Sequence, residues 1–351
     1  PDETLTLNMF FSSSFAGGLT LDSEEFALVT SRSPRYYVSA AYWDRDSLLW
    51  SFPAILLADA GTAAEMLRYV FTRQIRNVGL HSRYIDGTLL EPGFELDELC
   101  APVIALGGYV ERTGDRDILR EDCVRRGVER ILRTLGTKRA PDIALYESFL
   151  QPTDDMCSHP YICYDNVLVW YALRKADELF PGAWPGLSEE AGRVREAIYK
   201  HCVKEKDGRE IFAWSVDLKG GWDVYDEPPG SLLLLPHYGF CSTEDEIWRN
   251  TAAEIRREDY RYSFAGCPIA EIGCAHAPHP WVLSIANSLL SDRRESAREH
   301  LSRCAMDNGI ACESVDEYTG ESRTGEAFAT CAGFLAYAID SALGGRKRVA
   351  E

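Results

Sequence analysis

The sequence predicts an all-α protein, an (α/α)6 barrel in which six inner helices form a ring and six outer helices surround it. Three observations predict this class: helical periodicity recurs through almost all of the 351 residues, no strand–helix unit repeats, and no glycine-rich phosphate loop occurs. Consecutive helices with short links can stack as antiparallel pairs around such a ring. An α-solenoid is the structural alternative, although the helices show no fixed repeat period.

Ten segments carry the helical periodicity, and minor β elements are expected only in loops. "SLLWSFPAILLAD" and "GEAFATCAGFLAYAID" are apolar on every side and predict inner helices, whereas "DRDILREDCVRRGVERIL" has the charged face of an outer helix. The strand-like stretches are 210–220 and 35–43. The predicted helices are 46–59, 62–76, 96–112, 117–135, 164–180, 187–205, 244–257, 280–291, 293–305 and 326–343.

The domain prediction is a single (α/α)6 domain over residues 1–351, with residues 1–35 as an N-terminal lead-in. The chain opens on Pro1 and not on Met, so a preceding domain or an export signal could be missing. Eleven cysteines are scattered without a CxxC pair, many of them in apolar runs such as "ELCAPVIAL". Buried reduced thiols explain this pattern better than a disulfide framework, which favours a cytoplasmic location.

The charge balance excludes two classes of partner. With 37 basic and 55 acidic residues, the formal net charge is −18, and such a surface repels phosphate backbones and anionic membranes. We therefore expect no nucleic-acid partner and no membrane partner, and no 18-residue apolar span is visible. A neutral substrate such as a sugar meets no repulsion. The oligomeric state is left open.

Polar residues cluster at five junctions where a loop leads into an apolar helix. Each cluster alone is explained by helix capping or by the helix dipole. In a helical ring, however, alternate junctions open on the same face, so the five clusters could converge on one pocket. The clusters are Asp44, Arg45 and Asp46 in "YWDRDSLLW"; Glu95, Asp97 and Glu98 in "GFELDELCAP"; Asp154 and Asp155 in "QPTDDMCSHPY"; His276 and His279 in "EIGCAHAPHPWVLS"; and Glu313 in "ACESVDEYTGE".

The stretch "QPTDDMCSHPY" (151–161) places two adjacent carboxylates between two prolines. Pro, Thr, Asp and Ser are ordinary turn residues, so a simple turn is one interpretation. The other is catalytic, because two close like charges raise one pKa and let one acid keep its proton near neutrality. Asp154 and Asp155 are thus candidates for a proton donor.

Carboxylates together with Trp, Tyr, Arg, Asn and His in one pocket favour carbohydrate chemistry, in which one acid protonates the leaving oxygen and another activates water. A sugar-binding toroid without turnover, or a sugar epimerase or isomerase using His276 and His279, are the alternatives. The H-x-x-H spacing of these histidines lacks HExxH and a third ligand cluster, so no metal and no cofactor are predicted. No G-x-S-x-G elbow is present.

In order and spacing, the stretches "WDRDS", "ELDELCAP", "PTDDMCSHPYICYDN", "IGCAH" and "CES" resemble glycoside hydrolase family 125, the metal-independent exo-α-mannosidases with an (α/α)6 fold. The resemblance implies inverting hydrolysis of terminal α-linked mannose, typically α-1,6, without a metal. The sequence departs from the family around "YYVSAAYWDRDS", "AHAPHPWVLS" and the residues after Glu313, so an α-glucosidase of glucoamylase or debranching type is the alternative.

The resemblance also implies residue roles. The general acid corresponds to Asp154 or Asp155, and the general base to Glu313. His279 matches no position of the family. The residues expected to hold the sugar are Trp43, Asp44, Arg45, Asp46, Glu95, Asp97, Asn166 and His276.

Overall fold

The computed structural model describes residues 2–344, and these residues form a ring of helix pairs. Outer and inner elements alternate along the chain, as the predicted (α/α)6 barrel requires. The helices are α1 (Asp2–Phe15), α2 (Phe52–Ala58), α3 (Ala60–Thr72), α4 (Leu96–Thr113), α5 (Asp122–Lys138), α6 (Cys163–Leu179), α7 (Leu187–His201), α8 (Glu246–Ile255), α9 (Val282–Leu290), α10 (Arg294–Arg303) and α11 (Ala329–Leu343).

Burial separates the inner helices from the outer ones. Helices α4, α6, α9 and α11 are buried along almost their whole length, whereas α5, α7 and α10 bury one stripe and expose charged residues on the other face. Helix α2 is extended at its N-terminal end by a buried π-helical segment, Arg45–Ser51. The fully apolar stripes that the sequence predicted as inner helices therefore line the interior of the ring.

Two short 3₁₀ turns, Pro228–Gly230 and Leu232–Leu234, take the fourth inner position. Both pack against α9, and the second also packs against α8. Two prolines occupy the first positions of the first turn, where a helix needs no backbone donor. This position therefore carries irregular backbone where the neighbouring inner positions carry helices.

The strands form five two-stranded antiparallel sheets in the connecting loops. One hairpin, β3 and β4, leads directly into inner helix α4 and so lies at the mouth of the ring. The strands are β1 (Gly17–Leu19), β2 (Phe26–Leu28), β3 (Leu80–Arg83), β4 (Leu89–Phe94), β5 (Tyr161–Ile162), β6 (Val203–Lys206), β7 (Arg209–Phe212), β8 (Ser215–Val216), β9 (Ser314–Val315) and β10 (Ser322–Thr324).

Two local expectations require correction. The stretch 35–43 is not a strand but a series of turns, because Ser39 has φ 55° and the Tyr36 ring stacks on Phe328 at 4.3 Å. The predicted lead-in 1–35 contains helix α1, which packs against α11 and α2 as an outer helix. Between residues 2 and 344, no helix is both long and apolar enough to span a bilayer.

Candidate active site

The candidate site lies at the end of the ring where the inner elements begin. Helix α4 starts after Glu95, α6 starts at Cys163, and the π-helical segment before α2 starts at Arg45. Because inner elements all run in the same direction in an (α/α)6 ring, their first turns and the loops before them meet at one end. All five predicted clusters are joined there by direct contacts, as described below.

Arg45 is the centre of this end. Its side chain is 1% exposed, and its Nε donates to Oδ2 of Asp97 at 2.9 Å while Nη2 donates to Glu95. The Arg45 backbone N–H donates to Oε1 of Glu98 at 3.0 Å. Nη1 reaches out of the ring to Oδ1 of Asp154 at 3.0 Å. One buried guanidinium thus ties the first inner helix, the start of α4 and the paired-acid turn together.

Arg83, on β3, is a second buried cation beside Arg45. It donates to Asp44, and its Nη2 lies 3.6 Å from Oε2 of Glu98. Asp44 also accepts from the Tyr42 hydroxyl at 2.7 Å and is fully buried. Asp44 therefore bonds to protein groups and is not a pocket-lining residue. Sequence analysis did not identify Arg83, whose partners are distant along the chain.

This end holds more acidic than basic side chains, and burial raises the pKa of several of the acids. Burial raises the pKa of Asp46 to about 7 and raises the pKa of Glu95, Asp97 and Glu98, against the opposing effect of Arg45. Asp165, at the start of α6, has its pKa raised by burial and by Asp97, and neither of its oxygens has a hydrogen-bond partner within residues 2–344. Burial therefore favours the protonated form of these acids, while Arg45 favours the charged form.

The paired acids sit on a tight turn that points them in different directions. Asp154 adopts φ 67°, in the left-handed region that non-glycine residues seldom occupy. The turn is closed by the backbone N–H of Asp154 on the carbonyl of Gln151 and by the N–H of Gln151 on the carbonyl of Asp155, each at 2.8 Å. Asp154 faces Arg45, whereas Asp155 faces His276, at 3.3 Å between Oδ2 and Nδ1.

Glu313 enters from the other side of the site. Its side chain is 6% exposed, and its Oε1 accepts a hydrogen bond from the Tyr37 hydroxyl at 3.1 Å. Gly325 supports it from behind, since a Cβ at Gly325 would come within 2.6 Å of the Glu313 Cβ. Tyr37 lies in the stretch 35–43 that the sequence predicted as strand-like, and sequence analysis did not identify it because nothing in the local pattern indicates a contact with Glu313.

His276 bridges the two candidate catalytic groups. Its Nδ1 faces Asp155, and its Nε2 lies 3.8 Å from Oε1 of Glu313. The two nitrogens of an imidazole ring are about 2.2 Å apart, so these carboxyl oxygens of Asp155 and Glu313 lie no more than about 9 Å apart. His276 is 36% exposed at its side chain, so the gap that it bridges opens to solvent.

Two further predicted residues lie behind the site. Asn166 is fully buried; it accepts from the backbone N–H of Tyr146 and donates to the carbonyls of Tyr146 and Ile162, so it fixes the loop before α6 and does not line the pocket. Trp43 is 6% exposed and meets the His81 ring edge-on at 5.5 Å. Sequence analysis missed His81, whose Nδ1 forms a hydrogen bond with Glu95 and whose Nε2 forms one with Glu91.

One trio of residues has the spacing of a metal site. His81, Glu95 and Asp154 each offer one ligand atom, and these atoms lie within 4.8 Å of one another. Arg45 donates to both Glu95 and Asp154, so a permanently charged group already contacts two of the three ligands. A divalent cation would have to displace that guanidinium. The trio therefore fits a metal ion poorly.

An (α/α)6 barrel with two carboxyl groups facing one opening at one end of its ring is typical of a class of glycoside hydrolases. Within this class, the chain belongs to the metal-independent α-mannosidase family, GH125, whose sequence model matches residues 133–339. The "Meiotically up-regulated gene 157 protein" of Schizosaccharomyces pombe is 26% identical over 196 residues, which are 52% of this chain. That match covers 38% of the yeast protein, so the chain spans well under half of its length.

Solved structures share the fold at low sequence identity. A metal-independent α-mannosidase of Streptococcus pneumoniae, in a non-productive complex with α-1,6-mannobiose, superposes with a TM-score of 0.81 at 19% identity, over 96% of this chain and 93% of that one. The glucoamylase of Saccharomycopsis fibuligera superposes with a TM-score of 0.70 at 12% identity, over 96% and 94%. These likenesses confirm the predicted (α/α)6 barrel.

Proposed function

We propose that the chain is an exo-acting, inverting α-mannosidase that removes terminal α-1,6-linked mannose. The observation that carries this proposal is the arrangement of Asp155, His276 and Glu313, in which residues from three distant parts of the chain meet across one opening. Family membership supports the reaction class. The paired-acid turn and Glu313 supply the two carboxyl groups that the reaction needs.

The two acids divide the reaction between them. Asp154 or Asp155, on the turn at one side, protonates the glycosidic oxygen, and Glu313 takes a proton from the attacking water at the other side. Inverting enzymes keep these groups roughly 6.5–9.5 Å apart so that water fits beside the sugar. The upper limit of about 9 Å between Asp155 and Glu313 is compatible with this spacing.

The closed floor of the site supports exo action. Beneath the opening, Arg45 is 1% exposed and lies among the buried carboxylates of Glu95, Asp97 and Glu98, which we expect to block the passage of a glycan chain through the ring. Arg45 and Asp46, which are buried at the start of the first inner element, are the groups that we expect to contact a sugar that reaches the floor. A site closed at this depth accepts the end of a chain and not its middle.

The test is a comparison of disaccharides. We expect the protein to release mannose from α-1,6-mannobiose faster than from α-1,2- or α-1,3-mannobiose, and to release no glucose from maltose or isomaltose. A longer α-1,6-mannan should yield only mannose at early times if the action is exo. Glucose release without mannose release would contradict the proposal and would support the glucoamylase-type alternative.

A further inference from the structure

The paired-acid turn rests on a second segment of the chain, Asp226–Gly230, which we call the support segment. Glu227, in this segment, is fully buried and accepts three hydrogen bonds from the turn. Its Oε1 accepts from the backbone N–H of Thr153 at 2.9 Å, and its Oε2 accepts from the Thr153 hydroxyl at 2.9 Å and from Nε2 of Gln151 at 2.8 Å.

Steric contact joins the same two segments independently of these hydrogen bonds. A Cβ at Gly230 would lie 2.4 Å from Cγ of Pro152, so Pro152 packs directly on the backbone of the support segment. Asp226 fixes the support segment in turn, since its carboxylate accepts from the Ser231 hydroxyl at 2.6 Å and from the Leu232 N–H at 2.7 Å. The turn is therefore held on the support segment by three hydrogen bonds and by the packing of Pro152 on Gly230.

The turn needs this external hold because its own conformation is unfavourable. Asp154 is strained at φ 67°, and the two adjacent carboxylates repel each other. Arg45 holds only the side chain of Asp154. Glu227 instead holds the backbone at Thr153, the residue immediately before the two acids, and so fixes the direction in which both carboxyl groups leave the chain.

We propose that Glu227 is the positioning residue of the general acid. It acts through Thr153 and Gln151, and it holds the paired-acid turn in the position from which a carboxyl group reaches the glycosidic oxygen. This inference rests on the proposed hydrolysis of α-mannosides. It explains why "DEPPG" replaces the start of a regular inner helix at this position of the ring.

Loss of this positioning should depend on the leaving group. A sugar alkoxide is a poor leaving group and needs the acid, whereas a dinitrophenolate leaves without protonation. Displacing the acid by about 1 Å can cost a hundredfold in rate, and only for substrates whose departure requires the proton. A variant that merely destabilised the fold, or that impaired Glu313, would instead slow both kinds of substrate.

The experiment measures kcat/KM of Glu227→Gln on α-1,6-mannobiose and on 2,4-dinitrophenyl α-mannoside. Glutamine keeps the size of the side chain, but its NH2 group would face the NH2 group of Gln151. Two donors would then meet, and the hydrogen bond from Gln151 would be lost. We expect a loss of about a hundredfold on mannobiose and of less than about threefold on the dinitrophenyl substrate. Thr153→Val, which removes one of the three hydrogen bonds, should give the same selectivity with a smaller loss.

Glu271→Gln is the matched control, because Glu271 is also a buried acid with three side-chain partners, Ser284, Ser288 and His300, but it does not contact the turn. Glu271→Gln should not lower kcat/KM on one substrate more than on the other. Thermal melting of each variant shows whether it folds. Equal losses of Glu227→Gln on both substrates, or no loss, would overturn the inference; if that variant does not fold, Thr153→Val decides. A wild-type protein inactive on both mannosides would refute the proposed function instead.

Discussion

The two ends of the barrel are built from the same inner helices and differ in almost every chemical property. Where the helices begin, acidic side chains and two buried arginines fill the ring. Where they end, a cavity of about 950 Å³ opens between apolar and aromatic walls. Among the residues that line this cavity are Leu49, Phe52, Ile104, Tyr171, Tyr238, Phe334 and Tyr337.

This difference shows that the candidate site of this protein is not at its large cavity. The large cavity lacks opposed carboxyl groups, while the acid-rich end has them within reach of one histidine. Burial shifts protonation at both ends. Burial raises the pKa of Asp46 to about 7 at the acid-rich end and lowers the pKa of His237 to about 4 at the apolar end. In both cases burial disfavours the charged form, the carboxylate of Asp46 and the imidazolium of His237.

The largest effect is expected from Glu313→Gln. Without the base, water attacks unassisted, and kcat should fall by about 10²–10⁴ on mannobiose and on activated mannosides alike. Steady-state kinetics measures this, with Glu317→Gln as the control, since Glu317 bonds His279 and no group of the site. Full activity of Glu313→Gln would remove Glu313 from the mechanism and, with it, the functional distinction between the two ends.

The next effect is on stability. Arg45→Met leaves Glu95 and Asp97 buried without their cation, and we expect the free energy of unfolding to fall by about 3–5 kcal/mol. Arg112→Met, at the apolar end, should change it by less than about 0.5 kcal/mol. Urea denaturation measures both. Similar losses for the two variants would show that the two ends do not differ in how they use charge.

A smaller effect is expected from pH. Asp165 has a raised pKa when folded and binds a proton that the unfolded chain releases, so its stabilising contribution is present at low pH and is lost as pH rises through the folded pKa. The unfolding free energy of the wild type should therefore fall as pH rises from the ordinary Asp value of 3.8 toward the raised folded pKa of Asp165. Asp165→Asn should flatten this slope, whereas Asp117→Asn, at an exposed ion pair, should not. Parallel slopes in all three proteins would contradict the raised pKa.

The smallest effect is expected at the apolar end. Tyr171→Phe removes one hydroxyl from the cavity wall, at a place that no step of the proposed reaction uses. Its kcat/KM on α-1,6-mannobiose should stay within about twofold of the wild type. A tenfold loss in a variant with unchanged melting temperature would mean that the cavity is coupled to the site at the other end.

The sequence predicts this fold well because its signals are local. Apolar stripes mark the helices, and the ring follows from their number and their short links. Whether a polar residue at a helix start faces the pocket is not a local property. Asn166 and Arg45 both open apolar helices, yet the Asn166 side chain bonds to the backbone of Tyr146 and Ile162, whereas Arg45 lies at the centre of the site.

The residues that sequence analysis missed share one feature. Tyr37 contacts Glu313, and Glu227 contacts Thr153, so each has its partner far away along the chain. Around Glu227, the prolines and acids of "DEPPG" are explained equally well as a turn. Only the folded ring brings such partners together, and no pattern within a short window of sequence reports it.

The proposed mechanism is tested most directly by the anomer that the wild-type protein releases first, followed by proton NMR during hydrolysis of 2,4-dinitrophenyl α-mannoside, in which the only mannose formed comes from the cleaved bond. Water held by Glu313 on the face opposite the paired-acid turn should give β-mannose first, with α-mannose appearing only at the rate of mutarotation. Initial release of α-mannose would contradict a mechanism in which these two carboxyl groups act from opposite sides of the sugar.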